Sequence, residues 1–150
     1  PLDPTGSFPA SLINLRIAIS LNAADDRLRD DLMPINRGMP LAELQRTLLD
    51  YPLTRKGRFL IEYVLLKGVN DSPADADAVA AWCRPLSCIV NVIPYNPQHQ
   101  ATFETPTDDA ITRFIFRLKD HGLFVKRRIT HGRDLMGACG QLGNPELRRK

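Results

Sequence analysis

The groups best suited to chemistry fall in three short stretches. Ser20-Leu21-Asn22 offers a hydroxyl and an amide. Pro94-Tyr95-Asn96-Pro97 offers a second amide. Thr130-His131-Gly132-Arg133 leads to Ala138-Cys139-Gly140-Gln141-Leu142, which holds a thiol. A hydroxyl and two amides can orient a polar ligand by giving and accepting hydrogen bonds. Cys139 can act as a nucleophile: it sits between small residues just past a cationic stretch, a setting that favours the thiolate. Each group also has an ordinary role open to it, Asn22 and Asn96 as turn formers and Cys139 as a small core residue. Glu62 is an acid in the middle of an apolar run. It belongs either at an outward or edge position or, if inward, facing a ligand.

Other chemistries lack their residues. His121 and His131 read as surface residues and His99 lies in a polar loop, so no pair of histidines has metal-ligand spacing. Cys83 and Cys88 are five apart, which matches no common zinc or cluster motif. No metal ligand is assigned to this chain. Neither the glycine-rich dinucleotide fingerprint nor the phosphate loop is present. Three cysteines are an odd count, which argues against a complete disulfide framework and for a reducing compartment. No apolar stretch is long enough to span a membrane and no signal peptide is expected.

The elements that must position these groups alternate. Residues 13–20 form a β-branched, apolar strand, and Asp25 to Leu32 a short helix with acids in its first turn. Leu41, Leu44, Leu48 and Leu49 make a helical stripe. Residues 59–66 are a near-continuous apolar run, as for a strand covered on both faces. Ser72-Pro73-Ala74-Asp75 is a capping box opening a helix with Ala76, Val79, Ala80 and Cys83 on one face. Residues 88–94 make a third strand. Thr105-Pro106-Thr107-Asp108 repeats the capping signature before a helix carrying Ile111, Phe114, Ile115 and Leu118, with Gly122 just past its end. Residues 123–129 make a fourth strand, followed by a loop and a short helix containing Cys139.

Such alternation predicts an α/β fold with parallel strands joined by crossovers. Four βα units are half of an eight-unit barrel, with an unpaired edge strand and an open interior face. In βα barrels the reactive groups lie at the carboxyl ends of the strands, and all three stretches named above fall there. The length of 150 residues, 43% hydrophobic and 25% charged, suits one core. Residues 1–12 read as an irregular lead-in and 143–150 as a basic tail. The net charge of +3 leans only mildly toward an anionic partner, although basic residues gather at Arg55, Lys56 and Arg58, at Lys126, Arg127, Arg128 and Arg133, and at Arg148, Arg149 and Lys150. On charge alone a normally solvated surface is the better reading.

At these same points the sequence resembles the radical-SAM adenine methyltransferases of ribosomal RNA, the RlmN/Cfr family. The matching stretches are AISLNA (18–23), LRDDLMPINR (28–37), PLAEL (40–44), IEYVLLKGVNDS (61–72), CIVNVIPYNP (88–97) and ACGQL (138–142). Their order makes the match specific. The resemblance implies the C-terminal half of a partial (β/α) barrel of the radical-SAM type, working with S-adenosylmethionine and a [4Fe-4S] cluster. It implies that Ser20, Leu21, Asn22 and Asn96 contact S-adenosylmethionine and that Cys139 carries a methyl group. That group would pass by a radical route to carbon 2 of an adenine, an electron-poor atom unsuited to attacking a sulfonium methyl. The choice between carbon 2 and carbon 8 stays open in this half. The implied partner is 23S rRNA, with tRNA as a second substrate left open, and the implied parent is a monomeric cytoplasmic enzyme.

Two departures accompany the match. The family usually has His where this chain has Asn22, and the Cys-x-x-x-Cys-x-x-Cys cluster motif is not in these 150 residues. The resemblance places that motif, with a resolving cysteine and an acidic residue, in an N-terminal half. Two other readings remain: a remnant that binds RNA or a partner half without catalysis, and a radical-SAM enzyme of another substrate. Expressed alone, residues 1–150 are expected to hold no cluster. Iron analysis after anaerobic reconstitution checks this, and stoichiometric iron would contradict it.

Overall fold

A computed structural model describes residues 17–55, 57–97 and 102–128 of the chain. The elements run β1 (Ala18–Ser20), α1 (Asp26–Leu32), a 3-10 helix (Pro34–Gly38), α2 (Leu41–Asp50), β2 (Phe59–Leu65), α3 (Pro73–Cys83), β3 (Cys88–Pro94), α4 (Asp108–Asp120) and β4 (Val125–Arg127). All strands are parallel, in the order β1-β2-β3-β4. This is the expected α/β arrangement, four parallel strands alternating with helices in one partial barrel. The expected lead-in 1–12, strand residues 13–16, Lys56, His99, Ile129, the Thr130–Arg133 stretch, Cys139 with its helix and the tail 143–150 lie outside the described residues.

Burial alternates strictly along β2 and β3. Phe59, Ile61, Tyr63 and Leu65, with Cys88, Val90 and Val92, lie under the helices. Ala76, Val79, Ala80 and Cys83 from α3, Ile111, Phe114 and Leu118 from α4, and Leu41 and Leu48 from α2 complete that core. Leu60, Glu62, Val64, Ile89, Asn91 and Ile93 point the other way and are only half-buried. Among the described residues the helices cover one face of β2. The apolar run hid a period of two because Leu60 and Val64 occupy the open face.

Local signals explain most boundaries. Ser72 and Asp75 form the expected capping box: the Ser72 Oγ accepts from the Asp75 N–H at 3.2 Å, and the Ser72 N–H donates to the Asp75 carboxylate at 3.0 Å. The cap of α4 is Thr107, whose Oγ1 accepts from the Ala110 N–H. Thr105 instead donates its hydroxyl to the Tyr95 carbonyl at 2.7 Å, closing the end of β3. Gly122 follows α4 at φ +83°, as a C′ glycine should. Leu49 leaves the expected stripe and is 52% exposed, since it lies about 80° round the helix from Leu41. Between α2 and α3 the contact is polar as well as apolar: the Trp82 indole N–H donates to the Leu41 carbonyl at 3.1 Å and the Gln45 amide to the Trp82 carbonyl at 2.6 Å.

Asp77 on α3 ties that helix to α4. It accepts two hydrogen bonds from Arg117, at 2.6 and 2.7 Å, and lies 2.8 Å from the His121 Nε2. The Arg117 bonds first, and the His121 bond second, hold its carboxyl well below the usual carboxylate range. A depressed carboxylate contributes stability above its unfolded value of 3.8 and loses it as pH falls toward the folded value. The group is exposed, so solvent keeps the contribution small. Melting temperatures taken from about pH 5 to pH 2 are expected to fall more steeply for the native protein than for Asp77→Asn. Parallel curves would show that the contact adds nothing.

Candidate functional site

The strands β1 and β3 flank β2, so the stretches after them emerge at one carboxyl edge of the sheet. Ser20 closes β1 and Asn96 lies two residues past β3, half-buried. The register then adds groups that spacing alone did not join. Ser20 pairs with Glu62, Glu62 with Asn91 and Asn91 with Lys126. Register partners in a parallel sheet share a face, so these four side chains make a polar row across the open face. Beneath it lies an apolar row of Ala18, Leu60 and Ile89. Glu62 therefore has the inward position, and the Arg128 guanidinium approaches its carboxylate at 3.9 Å.

The residues after β1 are more constrained than the sequence indicated. Leu21 is fully buried in the core, and its N–H donates to the Glu62 carbonyl at 2.8 Å. Asn22 has φ +57°, a left-handed conformation that Asn tolerates. Its Oδ1 accepts from the Val64 N–H at 2.9 Å and its Nδ2 donates to the Met33 sulfur at 3.2 Å. The Asn22 amide is thus engaged in joining this loop to the end of β2.

Two buried side chains hold this loop by its carbonyls. Arg29, 4% exposed, donates from Nε to the Leu21 carbonyl at 3.0 Å and from Nη2 to the Ser20 carbonyl at 3.1 Å. Asn70, fully buried, donates from Nδ2 to the Asn22 carbonyl at 2.8 Å. Arg29 is oriented in turn by the Asn36 Oδ1, and Asn36 donates to the carboxylates of Asp26 at 3.0 Å and Asp30 at 2.7 Å. Burial pulls the Arg29 pKa down, while Asp26 and Asp30 pull it back up. The Leu41 N–H and then the Asn36 amide hold the Asp26 carboxyl below its ordinary range. Burying a guanidinium costs several kcal/mol, which an apolar side chain of similar size would avoid. What the guanidinium provides instead is direction, through donors in a fixed fork.

Sequence reasoning missed Arg29, Asn36 and Asn70. Arg29 and Asn36 lie within the LRDDLMPINR stretch, but no local signal marks an arginine of a polar helix as buried. The sequence likewise held no sign that Asn91 and Lys126 would line up with Ser20.

The described residues fit the two implied cofactors differently. An exposed Ser20 hydroxyl, beside a main chain already held in place, suits a polar ligand such as S-adenosylmethionine. An iron–sulfur cluster does not fit: among the described residues no three His, Cys, Asp or Glu side chains converge. Cys83 and Cys88 lie in the core at the amino end of β3, with the Cys88 sulfur 3.9 Å from the Cys83 carbonyl. Contact with Cys88, and then burial, pushes the Cys83 thiol up.

No family model matches the chain. It is 42% identical over 134 residues to a probable dual-specificity RNA methyltransferase RlmN 1 of Protochlamydia amoebophila, covering 89% of this chain and 37% of that protein. It is 43% identical over 139 residues to a dual-specificity RNA methyltransferase RlmN of Rhodospirillum rubrum, covering 92% of this chain and 32% of that one. The crystal structure of a radical SAM methyltransferase from Sphaerobacter thermophilus superimposes with a TM-score of 0.80 at 41% identity, over 85% of this chain and 38% of that chain. The chain belongs to the RlmN/Cfr family. It spans about a third of the length of these RlmN relatives. A domain of a pyruvate-formate lyase-activating enzyme from Bacteroides vulgatus, 20% identical with a TM-score of 0.59, shares the fold.

In this RlmN/Cfr segment, Asn22→Ala removes the acceptor for the Val64 N–H and places a Cβ residue at positive φ without local hydrogen bonding. Together these are expected to cost about 2 kcal/mol. Urea unfolding measures it, and an unchanged midpoint would mean that water replaces the amide.

Proposed function

We propose that the full-length protein is a radical-SAM RNA methyltransferase and that this chain is the C-terminal portion of its one barrel domain. In this reading it methylates carbon 2 of an adenine in 23S rRNA, with tRNA as a further substrate, and works as a monomer in the cytoplasm. The single observation that carries the reading is the identity of 42–43% over about nine-tenths of the chain to proteins named RNA methyltransferase RlmN. The placement of Ser20 and Asn96 at one carboxyl edge supports it, since barrel enzymes gather reactive groups there. Among the described residues no helix is long and apolar enough to cross a membrane.

Residues of this chain divide the work. Ser20, Leu21, Asn22 and Asn96 bind S-adenosylmethionine at the mouth. Cys139, as a thiolate whose proton has left to solvent or a base, would attack the methyl carbon of S-adenosylmethionine: the Sγ–CH3 bond forms as the sulfonium S–CH3 bond breaks, and S-adenosylhomocysteine leaves. A thiolate suits this ordinary displacement, whereas carbon 2 of adenine is too electron-poor to do the same. In the full-length protein S-adenosylmethionine and a cluster held outside these residues would supply the radical chemistry that such a carbon requires. The cluster's ligands belong to the family's N-terminal half.

Cys139→Ala in the full-length protein is expected to abolish methyl transfer to RNA while leaving the iron–sulfur absorbance intact. Labelled S-adenosylmethionine with RNA as acceptor reads the first, and visible spectroscopy the second. Retained turnover would remove Cys139 from the mechanism. A full-length protein that takes up neither iron nor S-adenosylmethionine would favour the non-catalytic reading.

A further inference from the structure

Three consecutive carbonyls, those of Ser20, Leu21 and Asn22, each accept from a buried side chain, the first two from Arg29 and the third from Asn70. The donors come from opposite sides. Arg29 belongs to α1, which follows the loop, and Asn70 to the turn after β2, 48 residues on from Asn22. Neither donor is free to move. Asn36 fixes the guanidinium. Asn70 also donates to the Val64 carbonyl at 2.8 Å, accepts from the Leu66 N–H at 2.7 Å and receives the Tyr63 hydroxyl on its own carbonyl at 2.9 Å.

We propose that Arg29 and Asn70 are positioning residues that hold the Ser20–Asn22 loop in its cofactor-binding shape before the cofactor arrives. The proposal rests on the reading of this loop as an S-adenosylmethionine contact. Its physical content is preorganisation. A loop fixed beforehand loses little entropy on binding, so the contacts it makes count more fully toward affinity. Turning the carbonyls into the protein also decides what the loop presents. The Ser20 hydroxyl stays on the open face in the polar row with Glu62, Asn91 and Lys126, while the loop's acceptors are withdrawn. A main chain free to rotate would offer its carbonyls to the same ligand and blur that choice.

The test uses the full-length protein with its cluster, and S-adenosylmethionine as the probe. Hydrogen exchange on the native protein comes first. The amides of Leu21 and Ala23, bonded to the Glu62 and Leu21 carbonyls, are expected to be protected already without S-adenosylmethionine and to change little when it is added. Fast exchange that slows only on addition would overturn the proposal, because the ligand would then be ordering the loop. Arg29→Lys keeps the charge but loses the fork, and Asn70→Ser no longer reaches the Asn22 carbonyl. Each is expected to raise the Kd about tenfold, measured by calorimetry well below its melting temperature and at unchanged iron content. A lowered melting temperature with an unchanged Kd would reduce both residues to a structural role and overturn the proposal. Ser20→Phe, which sets a bulky group on the exposed face beside the loop, separates the two failures. If it blocks binding while the other two variants bind normally, only the positioning idea falls. If all three bind normally, the loop is not a cofactor contact and both readings fall. Should Arg29→Lys fail to keep its cluster, Asn70→Ser and the native exchange pattern decide.

Discussion

Where a parallel strand ends at a buried edge, its last carbonyls run out of ladder partners, and leaving such groups unpaired costs about as much as a lost hydrogen bond each. At the end of β1 that demand is met by a charged side chain from the next helix and an amide from the far side of β2. The rest of the carboxyl edge follows from it. Arg29 requires Asn36 and the neighbouring acids, so the 3-10 helix must fold back onto α1. Asp26 then accepts from the Leu41 N–H at 2.9 Å and sets where α2 begins. Asn70 joins the turn after β2 to the same loop, so two adjacent strand ends become one rigid edge.

The two faces of the sheet obey different rules. Helices α2, α3 and α4 seal one face with aliphatic and aromatic side chains, including Tyr63 stacked on Phe114 with ring centroids 5.3 Å apart. The small Ala76 and Ala80 let α3 lie close against the strands. The other face stays open among the described residues and changes character along the strands, from Ala18, Leu60 and Ile89 to the polar row at Ser20, Glu62, Asn91 and Lys126. The next pair toward the carboxyl edge, Val64 and Ile93, is apolar again, so the polar row is a band between apolar rows. That pattern suits a ligand with both polar and apolar parts lying across the face.

Much of this architecture was legible because its signals are local. The stripe of Ile111, Phe114 and Leu118, the capping box at Ser72 and the glycine after α4 depend on neighbours within a few residues. The shift of the α4 cap from Thr105 to Thr107 shows the limit. Both threonines can cap, and a carbonyl at the end of β3 decided between them. Leu60 and Val64 show it again, since an apolar side chain reads the same whether it faces helices or the open side of a barrel.

What the sequence determined by itself was the alternation of strands and helices, the carboxyl-edge location of Ser20, Asn22 and Asn96, and the RlmN/Cfr likeness, all carried by residue type and order along the chain. Only the tertiary structure decided that Asn22 spends its amide on the Val64 N–H, that Glu62 faces inward beside Arg128, and that Arg29 and Asn70 converge on one loop. The reason is physical. A buried arginine and an exposed one have the same sequence signature, and the bonds that separate them join residues brought together by strand register and helix packing, which only the folded chain supplies.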